Sequence, residues 1–357
     1  MRKMRMGIIG TGMAWEKLHY PGYQELQDKL EVVAIADIDA GKVQHWANVL
    51  SLSSDRVYSD YTKLLDRDDL DGVDIMVPIE LNFEVAEVAA QKFAGTNRKI
   101  LCEKPLAPTW EQAKAFVELP NKYNVEINIA ENYRYNEEYQ IIRDLVQSKR
   151  IGETYYFLQN RVDCFLCDLT EGSFPSTRWR QHPEFAGGAI LDTGVHDLAG
   201  LHHIFGAVQE VFAYGKPQEY EFSPYSVVTV NLQFVSGVVG LFTFFVAGKE
   251  MQRPLTGLRI FGDRGMIYLE ERDCGTVNVA YNDGSSSQIP YRPQRGYYNE
   301  LLNLYNSWSG QEEAAVPPEV EFGDAHLVFA ILESVRTGQP VRVDLTAPSL
   351  ENAGMNK

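Results

Sequence analysis

At 357 residues, with 45% hydrophobic and 23% charged residues, the chain is too long for one ordinary core and suits two globular domains of roughly 100 to 200 residues each. Its formal charge of −16 works against nucleic acid and anionic membrane, which reward an excess of Lys and Arg, so a small molecule is the expected partner. No apolar run approaches the roughly 18 to 20 residues that span a bilayer, and the basic start leads into an apolar stretch that stops at Gly10 rather than into a signal sequence, so a cytoplasmic protein is expected.

In chain order, residues 5–10 form a short apolar run ending in glycine, and a helix follows through Trp15, Leu18 and Leu26. Apolar runs at 32–36 and 73–77 stop at Asp37 and Pro78, as strands buried on both faces do. Helical segments at 42–50 and 83–93, a strand at 99–102, a helix at 110–122 and a strand at 126–130 continue the alternation. Strand alternating with helix implies a doubly wound parallel sheet, a Rossmann-type first domain over residues 1–130.

The remainder, 131–357, follows a different pattern. A helix at 137–149 and a strand at 154–161 precede an irregular stretch to Gly188 and a helix at 189–204. Strands at 208–214, 226–234, 238–246, 255–261 and 266–269 come without intervening helices, which predicts a large open, mostly antiparallel sheet in a second α/β domain. Val228, Val230, Leu232 and Phe234 alternate with Val227, Thr229, Asn231 and Gln233, so one face packs on helices and the other is available to a partner subunit. Helices are expected at 297–308 and 324–337, separated by a loop around Pro317-Pro318.

The turn Gly10-Thr11-Gly12 after the first strand has the parts of a dinucleotide site, because glycines let backbone N–H groups approach a pyrophosphate at a helix N-terminus. Asp37, at the end of the second strand, supplies the carboxylate that accepts hydrogen bonds from the adenosine ribose. A carboxylate there repels the 2′-phosphate of NADP and no Arg stands nearby, so NAD is favoured over NADP. Trp15 occupies the position where the fingerprint wants a third small residue, so the first helix must sit further off or turn differently.

Lys104, in Cys102-Glu103-Lys104-Pro105, falls at the carboxyl edge of the parallel sheet, where open α/β folds bind ligands. Asp192 and His196 are four apart and share a face if the helix has begun. Oxidising a secondary alcohol needs a base for the hydroxyl proton, and Lys104, Asp192 and His196 make a proton-handling set. Arg178 and Arg180 are available to hold a carboxylate or hydroxyls. Tyr133, Tyr135, Trp179 and Trp308 stack on a sugar ring or fill core. Four cysteines indicate no disulfide framework, and Cys164 with Cys167 lacks the second ligand pair that zinc requires. His202 and His203 do not combine with His196 as metal ligands, since seven helical residues span roughly 10 Å, and no metal is expected.

Together the glycine turn, His19 and Pro21, Glu103-Lys104-Pro105, Tyr133-Arg134-Tyr135, Trp179-Arg180, the Asp192-x-Gly194-x-His196 run and Thr337-Gly338-Gln339-Pro340-Val341 resemble the glucose-fructose oxidoreductase / inositol dehydrogenase / rhizopine catabolism (Gfo/Idh/MocA) family along nearly the whole chain. The resemblance implies a Rossmann domain and an open-sheet domain, assembled as a homodimer or homotetramer through that sheet. It implies a catalytic set of Lys104, Asp192 and His196, with His196 as the acid/base. It extends the cofactor contacts to Met13, Ala14, Pro78, Asn82, Glu103 and Lys104, and sets Arg134, Tyr135, Trp179 and Arg180 near the substrate. Asn82 stands where relatives often carry His, which bears on the geometry of the bound cofactor, and Ala199 where they often carry Asp, which leaves the surroundings of His196 open. The expected activity is NAD-dependent hydride transfer to or from a sugar or cyclitol carbon. The alternatives are redox-neutral sugar chemistry, as glycoside cleavage or epimerisation, and an NAD-sensing regulator without turnover.

Overall fold

The computed structural model describes residues 2–170, 172–248 and 257–343. These divide into two compact units: Met1–Asn132 with Tyr297–Phe322, and Tyr133–Gly296 with the described chain from Gly323 on. The segment Tyr297–Phe322, at the far end of the chain, thus belongs to the first unit. Leu301, Leu304 and Tyr305 of the helix Gly296–Trp308 join Met4, Met6, Trp15 and Trp46 in its core.

The first unit is built on six parallel strands, β1 Met4–Ile9, β2 Leu30–Ala36, β3 Val57–Tyr58, β4 Gly72–Ile75, β5 Lys99–Glu103 and β6 Glu126–Ala130, in the order β3-β2-β1-β4-β5-β6. The order reverses beside β1, so the carboxyl ends of β1 and β4 diverge and leave the crevice where such sheets bind ligands. Burial on both faces explains the unbroken apolar runs of β2 and β5. The expected helix at 110–122 is two, Trp110–Val117 and Leu119–Tyr123, with Pro120 opening the second.

The helix after the glycine turn does turn differently. Residues Trp15–His19 form a π turn in which the N–H of Tyr20 reaches the carbonyl of Trp15, and an α-helix, Tyr20–Glu25, takes over from there. Trp15 is fully buried, edge-on to Trp46 and Tyr23. A ring in the place of a small residue needs room, and the wider turn accommodates it.

The second unit carries nine strands: β7 Thr154–Val162, β8 Val208–Pro217, β9 Tyr225–Phe234, β10 Val239–Phe245, β11 Leu258–Gly262, β12 Gly265–Leu269, β13 Thr276–Tyr281, β14 Ser286–Pro290 and β15 Val341–Arg342. Their order is β14-β13-β12-β11-β7-β10-β9-β8-β15, antiparallel except for β7 beside β10. Leu255 and Thr256 of the expected strand at 255–261 lie outside the described residues. Val228, Val230, Leu232 and Phe234 point into the core with Phe157, Phe242 and Phe244. The other face exposes Tyr156, Leu158 and Val239. Helices Glu137–Gln147 and Val195–Phe205 contribute Ile142, Leu198 and Leu201 to the same core. The last long helix, Pro318–Thr337, starts six residues earlier than expected, because Pro318 fits the first helical position. Cys164 and Cys167 correct the sequence reading: they are joined as a disulfide across the turn that follows β7.

Candidate active site

In the first unit, Gly10 leaves β1 with φ +91°, and a Cβ on it would overlap the carbonyl oxygen of Met76. Only glycine fits there. Gly12 is the opposite case, since a Cβ at that position meets nothing within 4 Å. The helical turn opens at Met13 and Ala14, both half-buried. Asp37 faces this loop: Oδ2 accepts from the Thr11 N–H at 2.7 Å and from Oγ1 at 3.0 Å, and Oδ1 accepts from the Asp39 N–H. An open cradle at a helix start with a carboxylate held beside it suits a dinucleotide, and the fixed charge opposes a 2′-phosphate.

Lys104 follows β5 and is largely buried, and its bond to Pro105 is cis. Its N–H donates to its neighbour's side chain, Glu103 Oε2, at 3.1 Å. Two of the residues expected to touch the cofactor also hold the chain around Lys104. Asn82, fully buried in the helix Ile79–Lys92, donates from Nδ2 to the carbonyls of Glu103 and Pro105 at 2.9 and 2.8 Å. It therefore clasps the chain on both sides of Lys104. Glu103 directs Oε1 to His19 at 3.0 Å. Pro78 caps that helix at the end of the β4 segment. His19 and Asp74 have no assigned role in the sequence reading, yet His19 joins Asp74 to Glu103, the residue before Lys104. The signal for Asp74 was a carboxylate in the middle of a buried strand, which requires a partner.

In the second unit, Gly187 and Gly188 have φ +92° and +49°, and a Cβ on Gly188 would overlap the carbonyl of Phe222. The chain turns there into Ile190–Gly194, a second π turn, and then into Val195–Phe205. Asp192 lies in the wide turn and His196 in the first turn of the α-helix. Arg180 comes to Asp192, with Nε donating to Oδ2 at 2.7 Å, while its guanidinium lies 4.0 Å from the centre of the Trp179 ring and 5.2 Å from that of Phe174. Asp192, Arg180 and Trp179 thus form one group, in which a flat cation holds a carboxylate and a ring braces the cation.

His196 is half-buried, and Tyr133 stacks on it with ring centres 4.5 Å apart and planes 16° apart. The Tyr133 hydroxyl accepts from Arg161 Nη1 at 2.9 Å, and the Arg272 guanidinium stands 4.4 Å from the centre of the Tyr133 ring. Arg161 also donates to Asp163 and lies 3.6 Å from Asp197, which accepts from Gln159. Tyr133 thus stacks on His196 while its hydroxyl is held by Arg161, which stands beside Asp197. Tyr133 lies in the core of the second unit and stacks on His196, while Trp308 belongs to the first unit beneath Arg2. Arg134, expected near the substrate, is buried. It makes a two-nitrogen pair with the buried Asp324, which His202 Nδ1 also reaches at 2.7 Å. Burial opposes ionisation of Asp324, but Arg134 and His202 outweigh it and hold its pKa below the usual range. Tyr135 is buried. Among the described residues no three His, Cys, Asp or Glu side chains cluster as metal ligands, and no helix is long and apolar enough to cross a membrane.

A model of the oxidoreductase family with an NAD-binding Rossmann fold matches residues 4–130, and a model of the GFO/IDH/MocA C-terminal domain matches residues 139–268. An uncharacterised protein of Saccharomyces cerevisiae is 26% identical over 96% of this chain and 99% of its own length. The 1,5-anhydro-D-fructose reductase of Ensifer adhaerens is 25% identical over 77% of this chain and 80% of its own. The crystal structure of an oxidoreductase from Thermotoga maritima superimposes with a TM-score of 0.82 at 25% identity, over 96% of this chain and 99% of that one.

Proposed function

Because the chain belongs to the Gfo/Idh/MocA family of NAD-binding oxidoreductases, we propose that it moves a hydride between NAD and a secondary alcohol or ketone carbon of a sugar, sugar derivative or cyclitol. The observation that carries this reading is the presentation of Asp192 from the widened turn and of His196 from the α-helix that continues it, beside a brace of rings and cations suited to a polyhydroxylated ring. The likeness to a reductase of an anhydrosugar supports the substrate class.

Gly10, Thr11 and Gly12, with Met13 and Ala14 at the helix start, hold the pyrophosphate, and Asp37 holds the adenosine ribose. Bound NAD supplies the hydride acceptor. His196 takes the hydroxyl proton as hydride leaves the carbon, and the Tyr133 face keeps its ring in one plane. Asp192, held by Arg180, and Lys104 orient the reacting hydroxyl. Trp179 and the remaining guanidinium donors of Arg180 meet the ring hydroxyls. Two copies of the chain associate through the exposed sheet face around Tyr156, Leu158 and Val239.

The test is NADH formation by purified protein over a panel of inositols, hexoses, anhydrosugars and sugar acids, with NADP in parallel. Turnover with one class and NAD supports the proposal, and NAD binding without reduction on any member contradicts it. His196→Ala should lower turnover roughly a thousandfold and leave NAD affinity nearly intact.

A further inference from the structure

His19 is completely buried, and both of its ring nitrogens are engaged by carboxylates: Nδ1 is 2.9 Å from Asp74 Oδ2 and Nε2 is 3.0 Å from Glu103 Oε1. The Tyr23 hydroxyl donates to the same Asp74 oxygen at 3.1 Å, and the Tyr297 ring stands 5.4 Å from the imidazole. Glu300, also buried, is hydrogen-bonded at neither oxygen. A neutral imidazole has one N–H and can donate to one carboxylate only; an imidazolium donates to both. Burial opposes the charge on His19, but Asp74 and Glu103 outweigh it and hold its pKa well above the usual range. Burial first, then the neighbouring carboxylates, pushes the Glu300 carboxyl well above its usual range.

The location gives the bridge its meaning. His19 closes the π turn Trp15–His19, seven residues beyond Gly12. A π turn inserts a residue into the helical winding, so it re-aims the side chains that follow, and such turns recur at functional sites. Trp15, in the place of a small residue, is what the wide turn accommodates. Asp74 belongs to β4 and Glu103 ends β5, immediately before Lys104. One imidazole therefore ties the pyrophosphate-binding helix to two strands, and Glu103 Oε2 in turn accepts the N–H of Lys104.

We propose that His19 is a positioning residue for the reaction, fixing the Lys104 backbone through Glu103 and coupling it to the glycine-turn helix. This rests on the assignment of Lys104 to the reaction. Without the imidazole, Glu103 and Asp74 repel each other, Glu103 leaves the Lys104 N–H, and the lysine head loses its place by a fraction of a residue length. A displacement of about 1 Å at a reacting group lowers a rate by up to roughly a hundredfold.

The test uses the full-length chain and His19→Gln, with His19→Gln/Asp74→Asn as a second variant that keeps the charge of the cluster unchanged should the first fail to fold. Reductive methylation read by mass spectrometry reports Lys104, which is 9% exposed in the native chain. In a folded variant, methylation of Lys104 should quicken about tenfold and kcat fall roughly 10- to 100-fold. Imidazole nitrogen NMR of the native chain should show His19 protonated at both nitrogens at neutral pH. Unchanged Lys104 methylation in a folded variant, or a His19 nitrogen without its proton, overturns the proposal. The methylation and NMR readouts need no turnover, so they decide the role of His19 even if no sugar or cyclitol reduces NAD.

Discussion

Gly10 and Gly12 are two residues apart, and the same substitution should act on them in opposite ways. At Gly10, alanine must adopt φ +91°, which costs a non-glycine residue about 1 to 3 kcal/mol. Its Cβ also overlaps the Met76 carbonyl, so the loop moves and stretches the 2.8 Å bond from the Gly10 N–H to the Ala36 carbonyl, a further loss of about 1 kcal/mol. The expected destabilisation is about 2 to 4 kcal/mol, or roughly 5 to 15 °C in Tm for a unit of this size. Gly12→Ala meets open space at an ordinary φ, so stability should change by less than about 1 kcal/mol. The same methyl fills the cradle, and NAD affinity should fall at least about tenfold. Urea unfolding and calorimetric NAD titration of both variants measure the two effects. A Gly12→Ala protein that binds NAD like the native chain refutes the placement of the pyrophosphate, and a Gly10→Ala protein of native stability refutes the steric account of the turn.

Burial, aided by the charge of Glu137, raises the Glu138 carboxyl from 4.5 to about 7. The folded state then binds more protons than the unfolded chain between these values, so stability falls as pH rises through that window, by up to about 3 kcal/mol. Glu138→Gln should match the native chain near about pH 4 and exceed it at about pH 8 by up to that amount; equal stability at the higher pH would sink the assignment. Arg180→Lys loses the flat contact with Trp179 and the Nε donor to Asp192, so kcat/KM should drop about tenfold with NAD affinity unchanged, and native kinetics would show that Arg180 does not hold Asp192. Leu158→Asp with Val239→Asp should yield monomers in light scattering, and persistence of the native mass would move the subunit contact elsewhere.

Much of the architecture was legible because burial writes itself into composition. The two-sided burial of β2 and β5 appears as unbroken apolar runs, and the one-sided burial of β9 as alternation from Val228 to Phe234. The strands β13 and β14 were not legible, since Asn278, Ser286 and Gln288 dilute their pattern at the sheet edge. Asp37, Asp192 and His196 stood out by chemical type and spacing. What spacing could not convey was the protein partners: Asn82 bonds the carbonyls of Glu103 and Pro105, Glu103 bonds His19, and Arg134 bonds Asp324. The partners that aim the candidate catalytic side chains come from distant segments, Arg161 from β7 and Arg272 from the turn after β12, and no local pattern joins them to Tyr133. His19 was visible as part of a motif, yet its role emerges only once Trp15 has widened the turn beneath it.

Deuterium placed on the hydroxyl-bearing carbon of whichever inositol, hexose or anhydrosugar is turned over tests hydride transfer most directly. The account predicts that one deuterium passes to the nicotinamide and leaves with the reduced cofactor, in step with a ketone product, and that His196→Ala slows this roughly a thousandfold. Label retained in or returned to the sugar while NAD stays oxidised at the end of each cycle would contradict net oxidation and identify the chemistry as redox-neutral.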